Sequence, residues 1–373
     1  MDEEKLNVIV ERIYEAAARP GLWRQALHEL ALASNALGAQ LLHHRPEGAA
    51  LHTNSEGLDE VVEAFFREGW HVRNPREVRA RRRGVAFREV VTDADLFTRE
   101  ELDREPWQRD FLDRYGLRWF SSFGTIRPED LVAPVILTIE RPAAREPFSR
   151  KEVGLLRTIV PHVQRAGQLS LAVAAAAGAG LLEGLERAGR AAALLDDIGG
   201  VTGVNASLEQ KLGDGLSLRA SRFVADFRPA NASLQALIAS VTAPPPYIER
   251  PALNAVLIPR RKRRPLIAQA APLVNSARDF FQQARALIVF MDLDERRAPD
   301  VLFLSAAFDL TAMEARLAQA LVEGRRLAEF ASDAAISINT ARTHLKGVFA
   351  KTDTHSQTEL ALILSRIAKP PEA

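Results

Sequence analysis

From Leu6 to Leu37 apolar residues recur every three or four positions, through Val8, Ile9, Ile13, Ala16 and Ala17, which predicts helix. Arg19-Pro20-Gly21 breaks the pattern, and it resumes at Trp23 with Leu27, Leu30 and Ala31 on one face. Gly38 closes that helix, Ala39–His43 reads as a short strand, and Leu58–Trp70 returns to helical spacing. Two strand-like runs, Trp119–Ile126 and Leu131–Glu140, flank Arg127-Pro128-Glu129-Asp130, a turn composition that predicts a hairpin. Ser149 and Glu152 then stand at the N-cap and capping-box positions of a new helix. Helices flanking a largely antiparallel sheet make residues 1–170 an α+β unit with the shape of a small sensor domain.

Beyond Ser149 the residues Leu155, Ile159, Val163, Ala166, Leu169, Val173, Ala177, Leu181 and Leu185 keep a spacing of three or four. A helix that long has no core of its own and calls for a partner helix, the same helix of a second subunit. Pro161, Gly178 and Gly180 interrupt the pattern, so two shorter helices joined by a linker are an equal reading. Residues 171–192 are therefore expected to be a helical linker or dimer helix. A second α+β region follows over 193–298. Ser233–Val241 is helical, Ala243-Pro244-Pro245-Pro246 cannot continue it, and Ala252–Pro259, Pro265–Leu273 and Ala286–Asp292 read as three strands. Arg260-Arg261-Lys262-Arg263-Arg264 lies between the first two, where a solvated turn accounts for it better than a nucleic-acid or localisation signal.

The last region, 306–369, is all helical. Thr311 and Glu314 form a capping box before Met313, Leu317, Ala320 and Leu321, and Gly324 occupies a C-cap position. A second helix over about 327–334 buries Leu327, Phe330, Ala331 and Ala334, and a short turn follows. The third, about 338–351, turns Ala341, Leu345, Val348 and Phe349 inward. Asn339, Thr340, Arg342, Thr343, Lys346 and Lys351 are left to face out. Two short helices with a tight turn, the second carrying exposed Arg, Lys, Thr and Asn, suit a helix-turn-helix that reads double-stranded DNA in the major groove.

Composition narrows the function classes. At 373 residues the chain has room for two to three domains, and 47% hydrophobic residues can build real cores. With 49 Lys and Arg against 48 Asp and Glu, any nucleic-acid binding must come from a local patch. There is no cysteine, which removes disulfides, thiol nucleophiles and Cys-ligated metal. The acidic start and the longest apolar run, Leu171–Leu182, predict a cytoplasmic protein with no membrane partner.

Over Leu310–Leu364 the sequence resembles the C-terminal DNA-binding domain of the LuxR family of bacterial transcription regulators. The matching residues are Leu310-Thr311, Glu314, Glu323-Gly324, Ile336-Ser337, Thr340, Thr343-His344-Leu345, Phe349, Lys351 and Thr358-Glu359. The resemblance implies that Arg342, Thr343 and Lys346 face the groove, that Ser337, Asn339, Thr340 and Lys351 approach phosphates, and that Ser356–Ile367 is a dimerisation helix of a homodimer. Ala335 departs from the glycine usual in the turn. Residues 1–170 resemble GAF-like or autoinducer-domain-like sensors, and Trp70-x-x-x-Asn74-Pro75 is similar to the Tyr-x-x-x-Asp-Pro run of acyl-homoserine-lactone receptors, with Asn in place of the aspartate. Residues 190–295 resemble a PAS domain with a short opening: six residues separate Asp197 from Val204, as though the first strand were missing.

No nucleophile elbow, P-loop, dinucleotide loop or H-E-x-x-H run is present, so no enzyme activity is expected. His43, His44 and His52 could gather a metal with Glu47 or His71, but scattered surface histidines explain them better, and no metal or cofactor is expected. An unidentified small-molecule ligand is expected in the first region, where Phe65, Trp70 and Trp119, with Phe66 and Phe123, supply aromatic surface and Asn74 a polar anchor. The fold class is thus multidomain: GAF-like, then PAS-like α+β sensors, followed by an all-α helix-turn-helix domain. The function expected is a dimeric DNA-binding regulator. The alternatives are a sensor or scaffold whose helical tail binds protein, and a receptor for an acyl-homoserine-lactone-like signal.

Overall fold

A computed structural model describes residues 3–44, 50–84, 89–126, 135–242, 255–273, 280–281, 284–295 and 298–365. The expected turn at Arg127–Asp130, the proline loop at Ala243–Pro246, Glu47 and the end of the last helix at Ile367 lie outside them. The chain forms two compact units, residues 1–176 with 274–282, and residues 177–273 with 283–373.

In the first unit, α1 (Glu3–Ala18) and α2 (Trp23–Ala33) are separated by a short 3₁₀ turn opened by Pro20, whose ring fixes the backbone where the helical pattern broke. They bury Ile9, Ile13, Ala16 and Ala17, then Trp23, Ala26, Leu27, Leu30 and Ala31, the faces the spacing selected. Strands β1 (Gly38–His44) and β2 (Ala50–Asn54) pair as a hairpin, and α3 (Asp59–Arg67) and α4 (Pro75–Arg82) follow. The short β3 (Val91–Thr92), α5 (Asp93–Leu96) and α6 (Arg99–Arg104) lead through a π-helical turn at Trp107–Phe111 to the long strands β4 (Leu117–Ile126) and β5 (Val135–Pro142). The antiparallel sheet has the order β2-β1-β5-β4-β3. Its pleat sorts the strands: Leu41, Phe123, Val135, Leu137 and Ile139 face α1, α2 and the next helix. The alternate residues face a second layer built by Val61, Val62, Phe65, Trp70, Trp107 and Phe111. Phe280 and Phe281 also join the first core, Phe281 lying 5.1 Å from Trp23.

The helix α7 (Arg150–Arg187) is one unbroken element of 38 residues with Pro161 inside it, so the two-helix alternative does not hold. The expected cap is present: the Ser149 amide donates to Glu152 at 2.8 Å, and the Glu152 amide to the Ser149 hydroxyl at 3.3 Å. Among the described residues α7 is the one helix long and apolar enough to cross a membrane by length and composition.

The second unit opens with β6 (Ala191–Leu195) and β7 (Val201–Val204), which pair as a hairpin, so the first strand expected to be missing is present. Asp196 closes it by accepting from the amides of Ile198 and Gly200 at 3.0 and 2.6 Å. The expectation of a truncated opening is corrected for a simple reason. Alanine is a poor strand former, so Ala191-Ala192-Ala193 passes for the end of a linker helix. Next come α8 (Ala206–Glu209), a hairpin of β8 (Leu216–Arg219) and β9 (Arg222–Ala225) absent from the sequence reading, and α9 (Arg228–Thr242). Strands β10 (Ala255–Ile258), β11 (Leu266–Pro272) and β12 (Ala286–Asp292) complete a sheet of order β10-β11-β12-β6-β7. Counted from its own first strand, that order is 2-1-5-4-3 from the opposite edge, the same as in the first sheet. Leu234, Leu237, Ile238 and Val241 of α9 pack one sheet face, and Leu182 and Leu185 of α7 pack the other against Ala192 and Leu194. Arg260 of the basic run is anchored by Asp292 at 2.6 Å, while 261–264 are exposed.

The chain ends in α10 (Val301–Phe308), α11 (Ala312–Val322), α12 (Leu327–Asp333), α13 (Ile338–Thr352) and α14 (Gln357–Ser365) around one core of Leu310, Leu317, Phe330, Leu345, Val348, Leu360 and their neighbours.

Candidate functional site

A cavity of about 90 Å³ lies on the second face of the first sheet. Because strand side chains alternate, the cavity receives Gln40 and Leu42 from β1, Phe120 and Ser122 from β4, and Ile136, Thr138 and Glu140 from β5. Gln40 pairs with Thr138 and Thr138 with Ser122 in the strand register, so three polar residues form one row across adjacent strands of the floor. Leu58, Val61, Val62 and Phe65, with Trp107 and Phe111, supply apolar walls. Trp107 and Phe111 stand 4.9 Å apart, and Phe65 meets Trp107 edge-on at 5.6 Å.

Beside this row, two residues along β5 from Thr138, lies a buried charge cluster. Arg76 of α4 donates from Nε to Asp93 at 3.2 Å, from Nη1 to both oxygens of Glu140 at 3.0 and 3.1 Å, and from Nη2 to the Arg118 carbonyl at 3.3 Å. Asp93 also accepts from the Phe120 amide at 2.6 Å. Burial pushes both carboxyls above their ordinary values, and the Arg76 charge offsets this only in part. Two carboxyls thus share one guanidinium, and their net charge is zero only while one proton stays on the pair. Around the cavity, three polar atoms have no hydrogen-bond partner among the described residues: Gln40 Oε1, Thr138 Oγ1 and the indole Nε1 of Trp107, a residue 4% exposed.

Of the four residues expected to bind a ligand, Phe65 and Asn74 line this cavity. Asn74 caps α4, its side-chain oxygen accepting from the Arg76 amide at 3.1 Å, which leaves its amide nitrogen for any other contact. Trp70 does not line the cavity. It backs the wall, packed on Trp107 and Phe111, with its indole donating to Glu68 at 3.2 Å. Trp119 does not line it either: it donates to the Arg145 carbonyl at 2.8 Å, one residue out of phase with Phe120. Phe123 faces the opposite core, and Phe66 stacks on His52. Arg76, Glu140, Gln40, Thr138 and Trp107 were not singled out from sequence. The available signal was Thr138 and Glu140 at alternate positions of the otherwise apolar Val135–Glu140 run.

The second candidate surface is α13. Ala341, Leu345 and Val348 are buried, while Asn339, Arg342, Thr343 and Lys346, spaced three, four and seven apart, share an exposed face. The turn between α12 and α13 passes through Ala335 with φ +53°. Ser337 caps α13, accepting from the Thr340 amide at 3.0 Å, and its hydroxyl meets that of Thr340 at 2.8 Å. Lys351 is engaged inside the fold: its ammonium donates to the Asp309 carbonyl and to Glu314, each at 2.8 Å. Burial alone would raise Glu314, but Lys351 and the Thr311 amide hold it below the ordinary carboxylate range. The two helices touch at Gly347, where a Cβ would come within 2.3 Å of Glu314 Oε1.

No family model and no curated protein matches the chain. It is similar to solved structures, among them CepR2, an N-acylhomoserine-lactone-dependent LuxR-family transcription factor from Burkholderia cenocepacia. That match has 16% identity over 45% of this chain and 94% of the other, at a TM-score of 0.34. The LBD domain of VqsR from Pseudomonas aeruginosa matches at 14% identity over 45% of this chain and 96% of its own, TM-score 0.35. SdiA from Escherichia coli matches at 12% over 91% and 88%, TM-score 0.29. Likenesses at this level carry no argument about activity.

Proposed function

We propose that the protein is a DNA-binding transcription regulator of LuxR type, with a ligand-receiving GAF-like domain, a PAS-like domain and a C-terminal helix-turn-helix. The observation that carries this reading is the polar face of α13, where Asn339, Arg342, Thr343 and Lys346 are exposed together opposite a buried apolar face. A helix of this kind fits a major groove about 12 Å wide, and Arg or Lys can donate to guanine edges. Ser337 and Thr340 stand at the helix N-terminus, where hydroxyls and amides favour a phosphate. In the sequence, the LuxR-type run over Leu310–Leu364 agrees with this role. The polar row and unpaired groups of the first unit's cavity support a sensor upstream, and the reading assigns no catalytic role to any residue.

The protein is proposed to act as a homodimer. After Ser170, which is buried against Trp23, none of residues 171–181 of α7 is buried, and apolar side chains are exposed at Leu181, 37%, and at Leu169 just before, 42%. Eleven residues of helix span about 17 Å, short of the roughly 30 Å of a bilayer core. A second copy of the same helix suits that length better than lipid does. Paired subunits would bring two α13 helices to half-sites about one DNA turn apart.

The test is a gel shift with double-stranded DNA from upstream of the protein's own coding region. Retardation that falls with salt supports the reading. A chain that leaves such DNA unshifted at micromolar concentration would favour the helical tail as a protein-binding element.

A further inference from the structure

The cavity of the first unit says more about its occupant than that one exists. This step rests on reading that unit as a sensor, and is independent of whether α13 binds DNA. Its volume, about 90 Å³, is below the roughly 150 Å³ apolar cavity that takes up benzene. Benzene has six non-hydrogen atoms, so in proportion an occupant of about four fits, and a long acyl chain does not. The groups left over are complementary to an amide. Trp107 Nε1 can only donate, so it needs an acceptor, whereas Gln40 Oε1 needs a donor and Thr138 Oγ1 can serve either way. Charge narrows the class again. The guanidinium of Arg76 is already held by Asp93, Glu140 and a carbonyl, and Glu140 and Glu77 both line the space. An anionic ligand would meet two carboxyls and find no uncommitted cation among the lining residues.

We propose that this cavity binds a compact neutral molecule of the primary-amide type, its carbonyl accepting from the Trp107 indole and its two N–H bonds donating to Gln40 and Thr138, and that it excludes carboxylates and long acyl chains. The experiment is thermal denaturation of the full chain with acetamide, with acetate as an anion of the same size, and with octanamide as a long-chain amide. The proposal expects a saturable rise in Tm with acetamide and none with the other two. Trp107→Phe keeps the ring and removes the donor, and Thr138→Val keeps the shape and removes the hydroxyl. Each should raise the half-saturating concentration roughly two- to tenfold, the worth of one hydrogen bond. An equal rise with acetate or octanamide, no saturable rise with acetamide, or saturation unchanged in both variants would overturn it. The comparison among the three probes needs no variant, so it stands even if one substitution unfolds the unit. Loss of the gel shift would leave this proposal intact, and loss of the thermal response would leave the DNA reading intact.

Discussion

Arg76 holds two buried carboxyls that would otherwise face an apolar cavity and the sheet without a counter-charge. Removing it strands both, and breaking a buried pair from one side typically costs about 3–5 kcal/mol. Arg76→Met should therefore lower stability by that order in urea denaturation, far more than loss of an exposed pair such as Arg67–Glu63, for which about 0–1 kcal/mol is typical. A smaller effect belongs to Ala335. Its left-handed backbone, φ +53°, costs a non-glycine residue about 1–2 kcal/mol, while glycine gives back about 0.4–1 kcal/mol through the unfolded chain. Ala335→Gly should leave stability unchanged or raise it by up to about 1.6 kcal/mol, measured by the same denaturation. A clear loss would mean that the turn is not shaped as described.

At the scale of elements, α11 and α13 are clamped by Thr311, Glu314 and Lys351 around Gly347. Glu314 has its folded value lowered below the ordinary 4.5. Its contribution is therefore present above that value and fades as pH falls through the folded one. The stability gap between wild type and Glu314→Gln should be full at pH 7 and close progressively below about pH 4.5, as followed by helix circular dichroism against urea. The same elements show what was legible in the sequence and why. The capping boxes at Ser149 and Thr311, the C-cap at Gly324 and the apolar stripes of α1, α2 and α13 depend on neighbours within a turn of one another, so spacing reveals them. The cavity depends on Arg76, Asp93 and Glu140, which are up to 64 residues apart and meet only when the sheet forms. Phe65 and Asn74 were found because a local helix end carries them. Trp70 and Trp119 were misplaced because aromatic type does not tell which side of a wall or pleat a ring occupies. The alanine-rich β6 was missed because burial, not strand propensity, makes it a strand.

For the whole molecule, the exposed apolar stretch of α7 and the last helix predict a dimer at micromolar concentration by sedimentation. Leu169→Glu with Leu181→Glu should shift it toward monomer and weaken DNA binding with it, whereas a wild type that sediments only as monomer, with and without DNA, contradicts the assembly. The most direct test of the central claim, that α13 reads DNA, is the affinity of the wild type and three single variants for upstream DNA at fixed salt. Arg342→Ala and Lys346→Ala should each weaken binding by about 1–3 kcal/mol while leaving the fold intact. Lys351→Ala, whose ammonium is committed to Glu314, should lower thermal stability instead. Binding unchanged in both the Arg342 and Lys346 variants would contradict the account.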